Sequence, residues 1–223
     1  MIDGKKTVVI IGGGAAGYFA AITAAQTNPS LQVILLEAGS QVLRKVKISG
    51  GGRCNLTHHC FEPKELSTKY PRGAKELRGA FHHWQPGNTI EWFEERGVKT
   101  KVEEDGRMFP VSDDSQTVIN CLRSEAHNHG VSERLNSRVT ALQQIKGQWE
   151  LELNGKEFLI VDKVCLALGS LKQSGLEEIL RKLGHTISPL LPSLFAFNLP
   201  SHPLKDLAGV AVQHATIRTS PKS

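Results

Sequence analysis

Long apolar runs are missing from this 223-residue chain. No stretch approaches the roughly 20 residues that a membrane-spanning helix needs. The N-terminus carries two lysines and then a short apolar run ending in glycines, without the apolar core and cleavage site of a secretory leader. Cysteine is scarce and unpatterned. Cys54, Cys60, Cys121 and Cys165 form no CxxC pair, which argues against a disulfide framework and for reduced thiols in a cytoplasmic protein. The sequon-like Asn55-Leu56-Thr57 then carries no glycosylation meaning. Cys54, His58, His59 and Cys60 match no standard zinc spacing, so no metal site is expected. Positive charge is present, with 27 Lys and Arg against 22 Asp and Glu, but it never gathers into a run. That argues against a nucleic-acid-binding arm and leaves an anionic small molecule as the counterpart. No Ser-His-Asp, paired-carboxylate or kinase pattern stands out. His127-Asn128-His129 lies at a predicted helix end and reads as a solvated terminus.

What the chain does have is ordinary globular composition, 39% hydrophobic and 22% charged, enough for one large domain or a domain with part of another. Its organising stretch is Thr7-Val8-Val9-Ile10-Ile11-Gly12-Gly13-Gly14-Ala15-Ala16-Gly17. An apolar strand runs into three glycines and then an alanine-rich helix, predicted over Ala15 to Gln26 and ended by Asn28-Pro29. A second strand, Gln32 to Glu37, ends in an acid twenty positions after Gly17. This is the layout of a strand-turn-helix-strand unit that holds a dinucleotide. Gly12 permits the sharp turn, Gly14 lets the backbone approach a pyrophosphate, and Gly17 lets the helix lie tight on the sheet. The N–H groups of the first helical turn, with Ala15 and Ala16, face the phosphates at the positive end of the helix dipole. Glu37, with Ala38 beyond it at the strand end, suits an adenosine ribose diol and repels a ribose 2′-phosphate.

A second informative stretch follows: Arg44-Lys45-Val46-Lys47-Ile48-Ser49-Gly50-Gly51-Gly52-Arg53-Cys54-Asn55. Three consecutive glycines predict a loop whose N–H groups line a polar or anionic ligand. Arg44, Lys45, Lys47 and Arg53 flank it, and the preferred reading is a second set of contacts to the same cofactor, on its phosphate, ribityl and ring side. The bland alternative is a surface loop with solvated charges. Cys54 reads either as a thiol activated by the neighbouring Arg53 or, preferably, as a packed structural thiol.

Farther on, Asn88-Thr89 predicts the cap of a helix over Ile90 to Arg96, with Gly97 as its stop. Phe81, Trp84, Trp92 and Phe93 read as core. Val98 to Glu103 reads as a strand, Gly106 to Pro110 as a loop, and Ser112 or Asp113 as the cap of a helix from Asp114 to His129. Val118, Ile119, Leu122 and Ala126 share a face of that helix. Residues 137 to 168 read as antiparallel strands with a hairpin turn at Asn154-Gly155. Gly175 to Leu183 reads as a helix, and Val212 to Arg218 as the start of a further strand region.

These segments resemble the N-terminal part of a bacterial flavoprotein family, the HI0933-like or aminoacetone oxidase family of FAD-binding NAD(P)/FAD-dependent oxidoreductases. The resemblance rests on Gly12 to Gly17 with Glu37, on Lys47-Ile48-Ser49-Gly50-Gly51-Gly52-Arg53-Cys54-Asn55-Leu56-Thr57, and on Asp105-Gly106-Arg107-Met108-Phe109-Pro110. Leu166-Ala167-Leu168-Gly169-Ser170, Gly184-His185 and Pro192-Ser193-Leu194 extend it over nearly the whole chain. It implies an α/β fold: a Rossmann-like FAD-binding domain over 1–190, with a parallel sheet, helices and an antiparallel β-meander at 137–168. It also implies that 191–223 form a connection and the first strand of a β-rich inserted substrate domain. FAD is the implied cofactor, taking or giving a hydride at its N5, with NAD(P)H as candidate reductant and a small molecule as substrate. No nucleic-acid or membrane partner is implied. The family pattern places Val139 where a backbone meets the adenine, and Ala167 and Gly169 where the returning strand approaches the cofactor. The segment Gly169-Ser170-Leu171-Lys172-Gln173-Ser174-Gly175 is shorter than the family's usual loop. Without a second glycine-rich unit, a nicotinamide has no Rossmann domain of its own here. The alternatives are a nucleotide-binding module without turnover and plain NAD binding.

Overall fold

The computed structural model describes residues 5–170, 175–189 and Thr216. The chain divides into a unit of Met1–Ile187 and a smaller one of Ser188–Ser223. All of the predicted strand over Val212 to Arg218 except Thr216, and most of the connection before it, lie outside the described residues, as do 171–174.

The larger unit is built on a four-stranded parallel sheet. β1 (Thr7–Ile11) is central, between β2 (Gln32–Leu36) and β10 (Lys163–Leu166), and β6 (Ser132–Arg134) pairs with the outer side of β2. The continuous apolar runs of β1 and β2 reflect burial on both faces. Ile10, Val33 and Leu35 face the helices, in one core cluster with Tyr18, Ala21, Ile22 and Ala25 of α1 (Ala15–Thr27) and Val118, Ile119 and Leu122 of α6 (Ser115–Asn128). Val9, Ile11, Ile34 and Leu36 face the other way, onto Leu142, Leu151, Leu153 and Val161. Those belong to an antiparallel meander of β7 (Val139–Ile145), β8 (Gln148–Leu153) and β9 (Glu157–Val161). The layers are therefore helices, parallel sheet and meander. Each fully buried aliphatic side chain in them contributes about 1.5–3 kcal/mol.

Local chemistry sets the boundaries. Alanine gives α1 high helix propensity and a slim buried face, and the Asn28 amide closes its end on the Ala24 carbonyl before Pro29. Asn154 and Gly155 both adopt positive φ, as a tight hairpin requires. The Thr7 amide donates to the Asp162 carboxylate at 2.7 Å while the Asp162 amide donates back to Thr7. That donation, with one from Gln148, holds the Asp162 carboxyl below its ordinary range.

Several elements depart from the sequence expectation. The basic stretch before the glycines, left unassigned by the sequence, is a short helix α2 (Arg44–Ile48), and Ser49–Gly52 make a tight turn in which Gly50 and Gly51 take left-handed, non-helical conformations, as three glycines in a row predict. Gly106 to Pro110 is not a loop: Glu103 to Gly106 turn the chain, and β5 (Arg107–Pro110) pairs with β4 (Thr100–Val102) and β3 (Thr57–His58). Helix α5 begins earlier, at Pro86, and ends at Glu94, because Asn88 reaches back to the Gln85 amide instead of standing at the cap. Asp114, one residue past the predicted pair, caps α6 through the Gln116 amide. β10 is parallel to β1, not a further antiparallel strand. Trp92 and Phe93 are core, but Trp84 is 41% exposed and rests edge-on against Phe19. Two helices went unread, α3 (Pro63–Thr68) and α4 (Ala74–Phe81). A final helix, α7, spans Glu177–Lys182.

Candidate cofactor site

The site forms at the carboxyl ends of β1, β2 and β10, where strand order reverses about β1. Open α/β sheets bind ligands in this crevice. β1 ends at Ile11, and the Gly12 amide crosses to the Leu36 carbonyl at 2.8 Å. Gly12 has φ +115°, and a Cβ there would stand 2.4 Å from the Ala167 carbonyl oxygen, so Gly12 and Ala167 are in close apposition. A Cβ on Gly17 would meet the Gly12 carbonyl oxygen at 1.8 Å. Gly14 differs: its backbone is extended and its Cβ would enter open space. It is the N-cap of α1 and makes no side-chain cap, and Ala15 and Ala16 beyond it are exposed. The first turn of a 13-residue helix thus opens onto free space, with its dipole behind it.

Glu37 is held from two sides. Its Oε2 accepts from the Gly13 amide at 2.9 Å and its Oε1 from the Gly39 amide at 2.8 Å. An ionised carboxylate has about four acceptor positions, so two remain for a ligand diol. The sequence reading includes Gly13 in the glycine run but assigns it no role, since the motif accepts any residue there. The structure shows why glycine stands at that position: a Cβ would press on Val42 and on Glu37 itself. The Gly13 carbonyl also accepts from the Leu43 amide at 2.7 Å, which ties the start of α2 to the glycine turn. Ala38 is exposed beside Glu37. The Ser137 amide donates to the Glu37 carbonyl and the Asn136 amide to that of Gly39, fixing the entry to β7 alongside. Val139 lies two residues farther on and is buried opposite Leu153.

The remaining predicted residues spread along α2 and the turn after it. Arg44, Lys45 and Lys47 are exposed. Lys45 extends to the end of the returning strand, where a Cβ on Gly169 would lie 2.9 Å from its Nζ. Gly12, Ala167, Gly169 and Lys45 are thereby brought together. The Ser49 hydroxyl donates to the Val46 carbonyl, and the Cys54 amide closes the turn on the Ser49 carbonyl. Gly51 is exposed with nothing within 4 Å of a Cβ. Arg53 does not offer a free cation. Its guanidinium pairs with Glu103, lies 3.6 Å from Asp113 and covers the Phe109 ring at 4.0 Å. Asn55 faces β5, accepting from the Met108 amide at 3.3 Å. Cys54 is buried, and burial pushes its thiol up, with only the Ser49 hydroxyl opposing. The reading of an activated thiol is thereby corrected in favour of the packed one.

The site passes a physical test for a dinucleotide: an open, uncapped helix start, glycines where backbone approaches closely, and a carboxylate with acceptor capacity in reserve. Surface grooves of 670 and 500 Å³ among the described residues lie elsewhere, one beside Phe19 and Trp84 and one beside Phe61 and Glu95, and contain none of these groups. No described helix is long and apolar enough to cross a membrane.

Comparison with known proteins agrees with this architecture. The sequence matches the family described as HI0933-like protein Rossmann domain over residues 6–219. A 3-dehydro-bile acid delta(4,6)-reductase of Clostridium scindens is 32% identical over 207 residues, 90% of this chain and 49% of the relative. A ribosomal RNA dihydrouridine synthase of Escherichia coli is 30% identical over 213 residues, 92% and 52% of the two chains. The chain thus spans about half the length of these curated relatives. Among solved structures, THI4 of Thermovibrio ammonificans superposes with TM-score 0.53 at 14% identity, covering 82% of this chain and 64% of that one. A 3-ketosteroid-delta4-(5alpha)-dehydrogenase of Rhodococcus jostii does so with 0.53 at 16%, covering 74% and 46%. At such identities the likeness is one of fold.

Proposed function

The chain belongs to the HI0933-like Rossmann-domain family, whose cofactor is FAD, and from that premise we propose that it is the cofactor-holding part of an NAD(P)H-linked oxidoreductase that reduces an activated carbon–carbon double bond. The observation that carries the FAD assignment within this chain is the open first turn of α1 beside a Glu37 fixed by the Gly13 and Gly39 amides.

In this reading Gly12, Gly14, Ala15, Ala16 and Gly17 receive the pyrophosphate on backbone N–H groups, and Glu37 with Ala38 receives the adenosine ribose. Val139 borders the adenine. Arg44 and Lys45 offset phosphate charge at the mouth. Ser49 to Gly52, with Cys54 and Asn55, form the wall toward the ribityl chain and ring, and Ala167 and Gly169 close the opposite side. When bound, FAD supplies a two-electron acceptor and donor at N5. The residues named above would bind and orient it. No side chain among them is assigned as acid or base.

The double-bond reading draws on the relatives' names, which denote reduction in a 3-keto bile acid and formation of dihydrouridine. A small molecule is the substrate we favour. A uridine base within RNA is a second reading, favoured by the name of the 30%-identical relative. A cytoplasmic location is supported by four cysteines that all stand unpaired.

The test is spectroscopic. Purified protein reconstituted with FAD is expected to be yellow and to bleach anaerobically with NADH or NADPH. An α,β-unsaturated ketone or a uridine-containing RNA then restores the colour, and which one does so separates the two substrate readings. A protein that stays colourless after reconstitution rejects the flavoenzyme reading. A yellow protein that neither nicotinamide bleaches rejects the NAD(P)H link.

A further inference from the structure

We propose that Arg53 is a positioning residue rather than a cofactor ligand: with Glu103 and Phe109 it clamps the Ser49–Asn55 turn in the shape that faces the cofactor. This rests on the reading that the turn forms a wall of the FAD site.

The turn needs an external restraint. Gly50 and Gly51 are both left-handed, at φ 55° and 69°, and glycine gives up more chain entropy on ordering than any other residue. A Cβ on Gly51 would meet nothing within 4 Å, so no protein group packs on the turn along that direction. It is held from β5. The Phe109 ring, fully buried, lies against Gly50, where a Cβ would stand 2.7 Å from Cε1. The Arg53 guanidinium covers the ring at 4.0 Å and its Nε reaches back toward the Gly50 carbonyl at 3.4 Å. Phe109 is therefore enclosed between the two ends of the turn it supports. Glu103, at the hairpin that leads into β5, takes the two terminal nitrogens of Arg53, and Asp113 adds a second carboxylate at 3.6 Å. One backbone link and one side-chain link complete the frame: the Leu56 amide donates to the Met108 carbonyl, and the Met108 amide to the Asn55 side-chain oxygen.

Geometry and exposure decide between clamp and ligand. The Arg53 and Glu103 side chains are 33% and 29% exposed, so their attraction alone stabilises the fold little. A planar guanidinium that bridges a carboxylate and stacks on an aromatic face is, however, a directional element that lysine cannot replace. Its donors are already turned to protein acceptors, leaving little with which to meet a phosphate.

The two roles predict opposite results. If Arg53 is a clamp, Glu103→Gln loosens the turn and raises the FAD dissociation constant about tenfold, the cost of one charge-assisted hydrogen bond. Arg53→Gln does the same. Arg53→Lys, which keeps the charge but neither forks to Glu103 nor stacks on Phe109, does so as well. ADP, which reports only on the Gly12–Glu37 end, binds all variants within about twofold of wild type. If Arg53 is instead a ligand, Glu103→Gln leaves FAD binding unchanged or tighter, because it removes a competing anion, and Arg53→Lys, still a cation, keeps most of the affinity. Either result overturns the clamp. Apo-protein melting temperatures within a few degrees of wild type show that the variants fold. Should wild type bind no FAD, the site reading fails, and the clamp is judged separately by amide hydrogen exchange of Gly50 to Cys54. Faster exchange in each single variant supports it, and unchanged exchange rejects it.

Discussion

Gly14 and Gly17 occupy neighbouring places in one motif yet are glycines for different reasons, and substitution separates them. At Gly17 a methyl group meets a backbone oxygen at 1.8 Å, and neither β1 nor α1 can yield without disturbing the sheet. Gly17→Ala is therefore expected to cost about 1–3 kcal/mol or more of folding stability, as overpacking does. At Gly14 the methyl group enters open space and the φ of −90° suits any residue. Gly14→Ala should change stability by less than about 1 kcal/mol, mostly through the weaker cap, yet weaken FAD binding by filling the approach to the pyrophosphate. Urea denaturation of the apo-protein and a flavin titration check the two halves of this contrast, and a Gly14→Ala protein that binds FAD as wild type would move the pyrophosphate elsewhere. Glu37 gives a second residue-scale case. Glutamine in its place keeps one acceptor oxygen and offers an NH₂ group to an amide that needs an acceptor. Stranding either the Gly13 or the Gly39 amide costs about 1–3 kcal/mol. The same substitution should weaken ADP and FAD in parallel, since both carry the ribose. A fall in FAD affinity without one for ADP would refute the ribose assignment.

Helix α6 carries a titratable group into the core. Burial, reinforced by Glu125 and opposed by Arg96, pushes the Cys121 thiol up to about 11. The unfolded chain releases that proton near pH 8.5–9, so the unfolded state gains first as pH rises. The stability Cys121 contributes is present in full below about pH 8.5 and is lost as pH climbs toward 11, by about 2–3 kcal/mol in all. Denaturation of wild type and Cys121→Ala from pH 8 to 10.5 should show their difference shrinking steadily, and a constant gap would mean that the thiol is not shielded as the structure shows. The helix itself was legible because Val118, Ile119, Leu122 and Ala126 recur at its period and face the core. β1, α1, β2 and the Asn154-Gly155 hairpin were legible for the same reason: a local pattern or turn residue dictates each. α3 and α4 were not, since they bury little or nothing and show no core stripe. β6 is three residues whose existence depends on pairing with a strand about 100 positions away. In the site, Gly12 and Gly17 could be read from spacing. That Arg53 turns to Glu103 could not, because a basic residue beside three glycines looks the same whether its partner is a phosphate or a carboxylate fifty positions later.

The molecule as a whole carries a formal charge of +5, with Arg44, Lys45 and Lys47 exposed on α2 next to the glycine turn. FAD is an anion, so its approach is assisted by this field until salt screens it. Screening acts over about 10 Å at 0.1 M ionic strength. The attraction felt during encounter is then largely removed at a few hundred millimolar salt, while contacts made at bonding distance within the crevice are less affected. The FAD association rate should therefore fall several-fold between about 20 and 300 mM salt, with the dissociation rate nearly constant. The lysines differ in what they do after encounter. Lys47 is expected to act only through the field, so Lys47→Gln lowers the association rate at low salt and changes nothing at high salt. Lys45 also reaches Gly169, three residues past β10, at the mouth of the crevice. Lys45→Gln should lower the association rate in the same way and, in addition, raise the dissociation rate at every salt concentration. Stopped-flow flavin fluorescence measures both constants. A dissociation rate untouched by Lys45→Gln would reduce Lys45 to one more surface charge and leave the phosphates to the backbone of α1 alone.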